Sequence, residues 1–432
     1  MFRIAAKLAS SRASSTALTT KPCPISCTRL YPFAAPSFRS FTTGLELDAS
    51  MTVPDAVRMI NYALRQWRTE RSLGAYRLGL TVLKHCITTE LTEGKDPARE
   101  NSKGMALLTM STILHERGEY SEAIEKLDGV QELTNSYLGV RVAALEAQAG
   151  LHLEMGQDDF ASALADKCVV LVEKEPQARD FEAHHSRARA LKGLIELVNG
   201  NIDTAEGFFD KCLHEKYCDG TAALSYAEFL QIKQNYSMAK EVYRSVIQGA
   251  IEIKKSGNPY LGAGNMNLDD LTVGAMCSLG QLESHLGNFS YAEHHLTQAL
   301  SRAEEAYESH HPKLGAVLTS TALMYRRKAT QEHSSALLIQ EGLYRKAIDL
   351  LKVPSIETES GGAAPLIDRS DIAALARGAY AEVLSVQENR KDEGEKMKNL
   401  AESIWKNRRM SLADALDLNK ISVIDARISR LL

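Results

Sequence analysis

GMALLTMSTILHERGEYSEAIEKLDGV (104–130) and VGAMCSLGQLESHLGNFSYAEHHLTQA (273–299) decide the fold of this chain. Both run in one order: small residue, turn, aromatic, alanine, large apolar residue, small residue. In the first the places are Ser111, Gly118, Tyr120, Ala123, Leu127 and Val130; in the second they are Gly280, Gly287, Phe289, Ala292, Leu296 and Ala299. Such a unit is a pair of antiparallel helices, and neither helix can bury its apolar stripe without a stacked neighbour. Gly280 and Ala292 fall where the two axes cross, because a larger side chain would push the helices beyond about 8–10 Å. Gly287 falls in the turn, where a positive φ is cheap only for glycine.

The pattern resembles the tetratricopeptide repeat, and Ser111, Gly118, Tyr120 and Ala123 match that family's positions. Weaker copies follow. Residues 142–170 give Leu145, Ala149, Gly156, Phe160 and Ala163, read with about two extra residues in the turn. Residues 186–212 give Gly193, Gly200, Ile202, Ala205, Phe209 and Cys212, and residues 220–246 give Ala223, Ala227, Leu230, Tyr236, Ala239 and Tyr243. Ala63 and Ala75 form an early degenerate copy. Small-residue landmarks at 111, 149, 193, 227, 280 and 322 are unevenly spaced, so the array is divergent, with insertions. HHPKLGAVLTSTALMYRRKAT (310–330) with LYRKAIDLL (343–351) resembles the 42-residue repeat of kinesin light chains, although 329–340 is about six residues too long. The resemblance implies an all-α, right-handed α–α superhelix.

Periodicity and turn chemistry divide the chain. Hairpins are expected over 52–255 and 271–352. KSGNPYLGAGNMNLDD (255–270) reads as a loop between stacked units, and 353–370 as a second, mobile loop. Residues 371–432 read as a helix pair followed by a short capping helix at 411–430.

The first 43 residues differ in composition. They hold six basic residues, no acid before Glu46, and thirteen Ser or Thr. That is the composition of an organelle transit peptide, with a mitochondrial-type cut expected after Phe41 and the matrix as address. The chloroplast stroma is the alternative. Removing these residues moves the formal net charge from −4 to about −10. An acidic chain lacks the basic footprint that phosphate backbones require, which argues against nucleic acid as a partner. No run approaches 18 apolar residues, so no membrane span is expected. The five cysteines after the presequence are scattered and expected to be reduced.

No constellation for catalysis appears. The histidine pairs 184–185, 294–295 and 310–311 are adjacent on helices, so their rings diverge and do not converge on a metal. GAGN (262–265) lacks the strand and the Lys-Ser/Thr tail of a phosphate loop. No enzyme activity, metal or cofactor is expected. The tetratricopeptide resemblance implies peptide binding along the groove lined by the first helix of each pair. At those places Leu108, Thr112 and Arg187 replace the Lys/Asn set that clamps chaperone carboxylates, so that activity is not implied. Ala190, Leu194 and Leu197 form an apolar stripe for a partner helix, or else core. Arg326 and Arg327, with Lys328, Arg345 and Lys346, form a basic cluster suited to an acidic partner segment. The expected function is a protein-interaction scaffold or assembly adaptor, its partner a protein or an organellar multi-subunit complex. An organellar RNA-binding helical repeat is the alternative.

Overall fold

The computed structural model describes residues 49–90, 96–214, 220–256, 260–351 and 370–432. All that follows concerns these residues. The transit-peptide reading, Phe41 included, and the loop at 353–369 lie outside them, as does the side chain of Cys212.

Sixteen helices pair as eight antiparallel hairpins, each packed on the next. They are α1 (Pro54–Glu70) with α2 (Leu73–His85), α3 (Pro97–Glu116) with α4 (Tyr120–Gln131), and α5 (Leu138–Glu154) with α6 (Asp158–Glu173). Next come α7 (Phe181–Val198) with α8 (Ile202–His214), and α9 (Gly220–Ile232) with α10 (Tyr236–Ser256). The last three are α11 (Leu268–His285) with α12 (Phe289–Ala306), α13 (Pro312–Gln331) with α14 (Leu337–Leu350), and α15 (Ser370–Ser385) with α16 (Lys391–Ile404). The first helices of successive pairs also touch one another, so together they line one face.

One local device turns five of these hairpins. The first helix ends on a left-handed residue: Gly118 (φ 81°), Gly156 (74°), Gly200 (83°), Gln234 (64°) or Gly287 (77°). The amide of that residue and the next one bond back to orphan carbonyls of the last turn. Gly118 N donates to His115 O at 2.8 Å and Glu119 N to Leu114 O at 2.9 Å, and the other four repeat this. Two residues after the turn the second helix begins, and five after it stands a fully buried alanine: Ala123, Ala161, Ala205, Ala239 or Ala292. Close approach fixes the small partners. A Cβ on Gly193 would sit 2.6 Å from Phe209 Cζ, and one on Gly280 2.7 Å from Leu296 Cγ. Ser111, Ala227 and Ala299 are likewise buried.

The 142–170 unit needs a correction. Its turn has the same length as the others, so Asp158 takes the anchor place and Ala161 the alanine place. Phe160 is 65 % exposed, stacked on His152. Ala163 is exposed too. A second correction concerns 411–430. Only Leu412–Leu416 is helical there (α17), and the chain then runs as a short antiparallel pair, β1 (Ile424–Asp425) with β2 (Arg430–Leu431). This pair does not cap an open end; it is buried among the first helices. Two dipeptide strands leave the fold all-α.

Candidate functional site

The face lined by the first helices is the natural place to hold a peptide, and here the chain's own segments fill most of it. Residues 260–267, within the stretch read as a loop between units, are one of them. Arg187 Nη2 donates to Leu261 O at 3.0 Å, and Gly264 N donates to Thr112 Oγ1 at 3.2 Å. Asn265 Nδ2 donates to Gly150 O at 2.8 Å and to Glu154 Oε2 at 3.0 Å. Ala263, Asn265 and Met266 are buried. A composition of Gly, Asn and Pro announces irregular backbone, and burial of such backbone demands partners for its N–H and C=O groups. The first helices supply them.

Residues 423–432 are the second occupant. Gln281 grips one residue at both ends: its Nε2 donates to Ile424 O at 2.9 Å and its Oε1 accepts from Ile424 N at 2.8 Å. Arg427 is fully buried and donates to Glu228 (2.7 Å), Asp425 (2.8 Å), Ser225 Oγ (3.1 Å) and Thr221 O (3.3 Å). Burial works against its charge, but Asp425 and Glu228 outweigh it and leave the guanidinium pKa raised. Arg430 reaches Asp158 (2.8 Å), Leu153 O (3.0 Å) and Asp371 (3.2 Å). Asp371 also accepts from Leu431 N at 3.0 Å. Asp158, at the anchor place where sister units carry an aromatic or isoleucine, holds Arg430 instead.

A polar lattice joins the two halves of the groove. Lys313 is fully buried, its ammonium on Asp270 and 3.9 Å from Glu154, and Tyr307 also donates to Asp270. His115 Nε2 lies 3.2 Å from Glu154, and its ring packs against Tyr120, Tyr307 and His311. Among the described residues no group of three His, Cys, Asp or Glu could hold a metal ion. One cavity of about 220 Å³ stays open between α1, α3 and the 260–268 stretch, lined by Ile60, Leu64, Arg68, Met105, Leu108 and Lys254 among others.

The expected partner residues fall as follows. Ala190, Leu194 and Leu197 are at most 1 % exposed and belong to the core with Phe209 and Leu224, so they cannot receive a partner helix. Arg326 and Arg327 do hold main-chain carbonyls, but of this molecule's own helix end and turn at 416–418. Their Nη1 atoms donate to Leu416 O at 2.7 Å and Leu418 O at 2.6 Å. Arg345 is not with them; it is 63 % exposed and pairs with Glu341 on its own helix. Glu283 is buried with Lys240 at 2.6 Å. His184 is fully buried, its Nε2 2.9 Å from the Tyr137 hydroxyl. Gln281, Glu228, Asp158, Asp371 and Arg427 were not singled out. Only Asp158 carried a signal, an acid where its sister units have Tyr120, Ile202, Tyr236 and Phe289.

No family model and no curated protein matches the chain. Solved structures similar to it include BtubC from P. vanneervenii, at 12 % identity and TM-score 0.40, covering 57 % of this chain and 90 % of that one. A tetratricopeptide repeat protein from Parabacteroides merdae is 14 % identical, with TM-score 0.32, covering 80 % and 99 %. A signal-transduction ATPase with a tetratricopeptide repeat sensor from Pyrococcus horikoshii is 14 % identical, with TM-score 0.38, covering 81 % and 52 %. The stacked hairpins, the left-handed turns and the buried alanines five residues on give this chain a divergent tetratricopeptide-repeat-like fold, an all-α helical solenoid.

Proposed function

We propose that this chain is a non-catalytic protein-interaction scaffold or assembly adaptor of the mitochondrial matrix. One observation carries the scaffold reading: the groove grips main-chain N–H and C=O groups through side chains. Gln281 brackets Ile424, Arg187 takes Leu261 O, and Arg326 and Arg327 take two carbonyls of 416–418. Groups aimed at backbone N–H and C=O are those by which a protein holds peptides. Because this chain's own segments satisfy them, a partner docks on what is left: the open cavity beside α1 and α3, or the outer helices. The matrix address is supported by the acid-free, Arg- and Ser-rich first 43 residues. No helix among the described residues is long and apolar enough to cross a membrane. Proximity labelling by the full-length protein in cells tests both parts together. Matrix neighbours from one defined complex are expected. A cytosolic neighbour set would refute the address, and a lone monomer on affinity purification would refute the adaptor.

A further inference from the structure

The strap 417–422 crosses α11 and α13 and leaves a pocket of about 50 Å³ beneath it. That exceeds the ~10–15 Å³ that a single water needs. Leu323 and Met324 line it with apolar groups, Gln281, Ser284, Ser320 and Ser422 with polar ones, and Arg326 and Arg327 with cations. Arg326 is committed, to Leu416 O and to Glu382. Arg327 is not. One amino group serves Leu418 O and lies 3.2 Å from His285 Nδ1, and among the described residues no carboxylate is within ion-pair distance of it. Asp417 also lines the pocket, but its Oδ1 accepts from Asn419 N (2.9 Å) and Asn419 Nδ2 (3.2 Å). Burial first, then the neighbouring Arg326 charge, depress the Arg327 pKa, and Asp417 offsets only part of this.

We propose that this pocket binds a small oxyanion of the phosphate class, held by Arg327 and the Ser284 hydroxyl. The remaining Arg327 donors form a planar fork suited to two oxygens of one tetrahedral group. An anion there gives Arg327 a counter-charge and ties α13 to α11. The site stands independently of the scaffold reading, since it concerns a small ligand and not a partner protein.

The test is thermal unfolding of the full chain titrated with inorganic phosphate at constant ionic strength, sodium chloride being the balancing salt. A saturable rise in Tm is expected. Arg327→Gln weakens the apparent affinity at least about tenfold, the loss of one charge-assisted fork. Arg327→Lys retains part of it, Ser284→Ala weakens it a few-fold, and Arg345→Gln leaves it unchanged. If Arg327→Gln does not fold, the Lys and Ser284 variants decide. Parallel titrations with adenosine monophosphate and with glutamate separate the sources. Equal binding of the nucleotide marks a phosphate ester as ligand, and binding of inorganic phosphate alone marks the free ion. A rise that chloride reproduces, full affinity in Arg327→Gln and Ser284→Ala, or glutamate binding as tightly as phosphate each overturn the proposal.

Discussion

At the scale of single residues, the left-handed turns set the terms. Gln234 adopts φ 64° where its sister units have glycine, and a non-glycine residue there is strained by ~1–2 kcal/mol. Gln234→Gly gives up part of that gain to the entropy of the unfolded chain, so a net rise in stability of up to about 1 kcal/mol is expected from urea unfolding. The reverse changes differ by surroundings. Gly118→Ala meets nothing within 4 Å and costs ~1 kcal/mol for its backbone alone. Gly200→Ala costs about twice that, because its Cβ would lie 3.2 Å from Arg409 Cα. Equal losses at the two sites would contradict this account.

His184 gives a pH signature. Burial first, then the neighbouring Arg187 charge, lower its pKa from the ordinary 6.5 to about 3. The unfolded chain therefore takes up a proton that the folded chain refuses, and stability falls as pH drops from about 6.5 toward 3. Replacing His184 with Phe should flatten that part of the stability curve by up to one proton's worth, measured by urea midpoints across the range.

At the scale of elements, the hairpins were legible from sequence because their signals are local. A left-handed turn, a helix start two residues on and a small residue five on are all set by backbone geometry within a few residues. Phe160 misled for the same reason: an aromatic near the turn mimics the anchor, and only the buried Ala161 and Ala165 set the true phase. Nothing local could place 260–267 or 423–432. Their polar groups are satisfied by residues far away in sequence, Asn265 by Gly150 and Glu154, Arg427 by Thr221, Ser225 and Glu228. The polar places 425, 427, 429 and 430 also break any apolar stripe of helical period, which is why a capping helix does not form there. Arg427→Ala leaves Glu228 buried without its cation and should cost about 3–5 kcal/mol. Adding Glu228→Gln to it should recover a substantial part. A double variant no better than the single one would show that packing of the arginine stem, not charge, sets the loss.

At the scale of the whole array, bonds between distant hairpins change how the chain responds to stress. A solenoid whose units touch only their neighbours loses structure a unit at a time. Here Lys313 reaches Glu154, Arg117 reaches Glu308, and Arg430 joins Asp158 to Asp371. Equilibrium unfolding in urea should thus show one transition shared by all probes. Asp158→Ala together with Asp371→Ala should split it, with amides of α5 and α15 losing hydrogen-exchange protection before those of α11 and α12. A single transition in that variant would mean that the arginine links do not couple the hairpins.

The Arg430 link, wedged between Asp158 and Asp371, also fixes how the molecule answers to load. Gripped at Pro54 and Ile404 and drawn apart, an ordinary repeat array stretches like a spring and gives way in a staircase of small steps. With that rivet in place, the hairpins between Asp158 and Asp371 should yield together, as one larger rip in a force–extension trace.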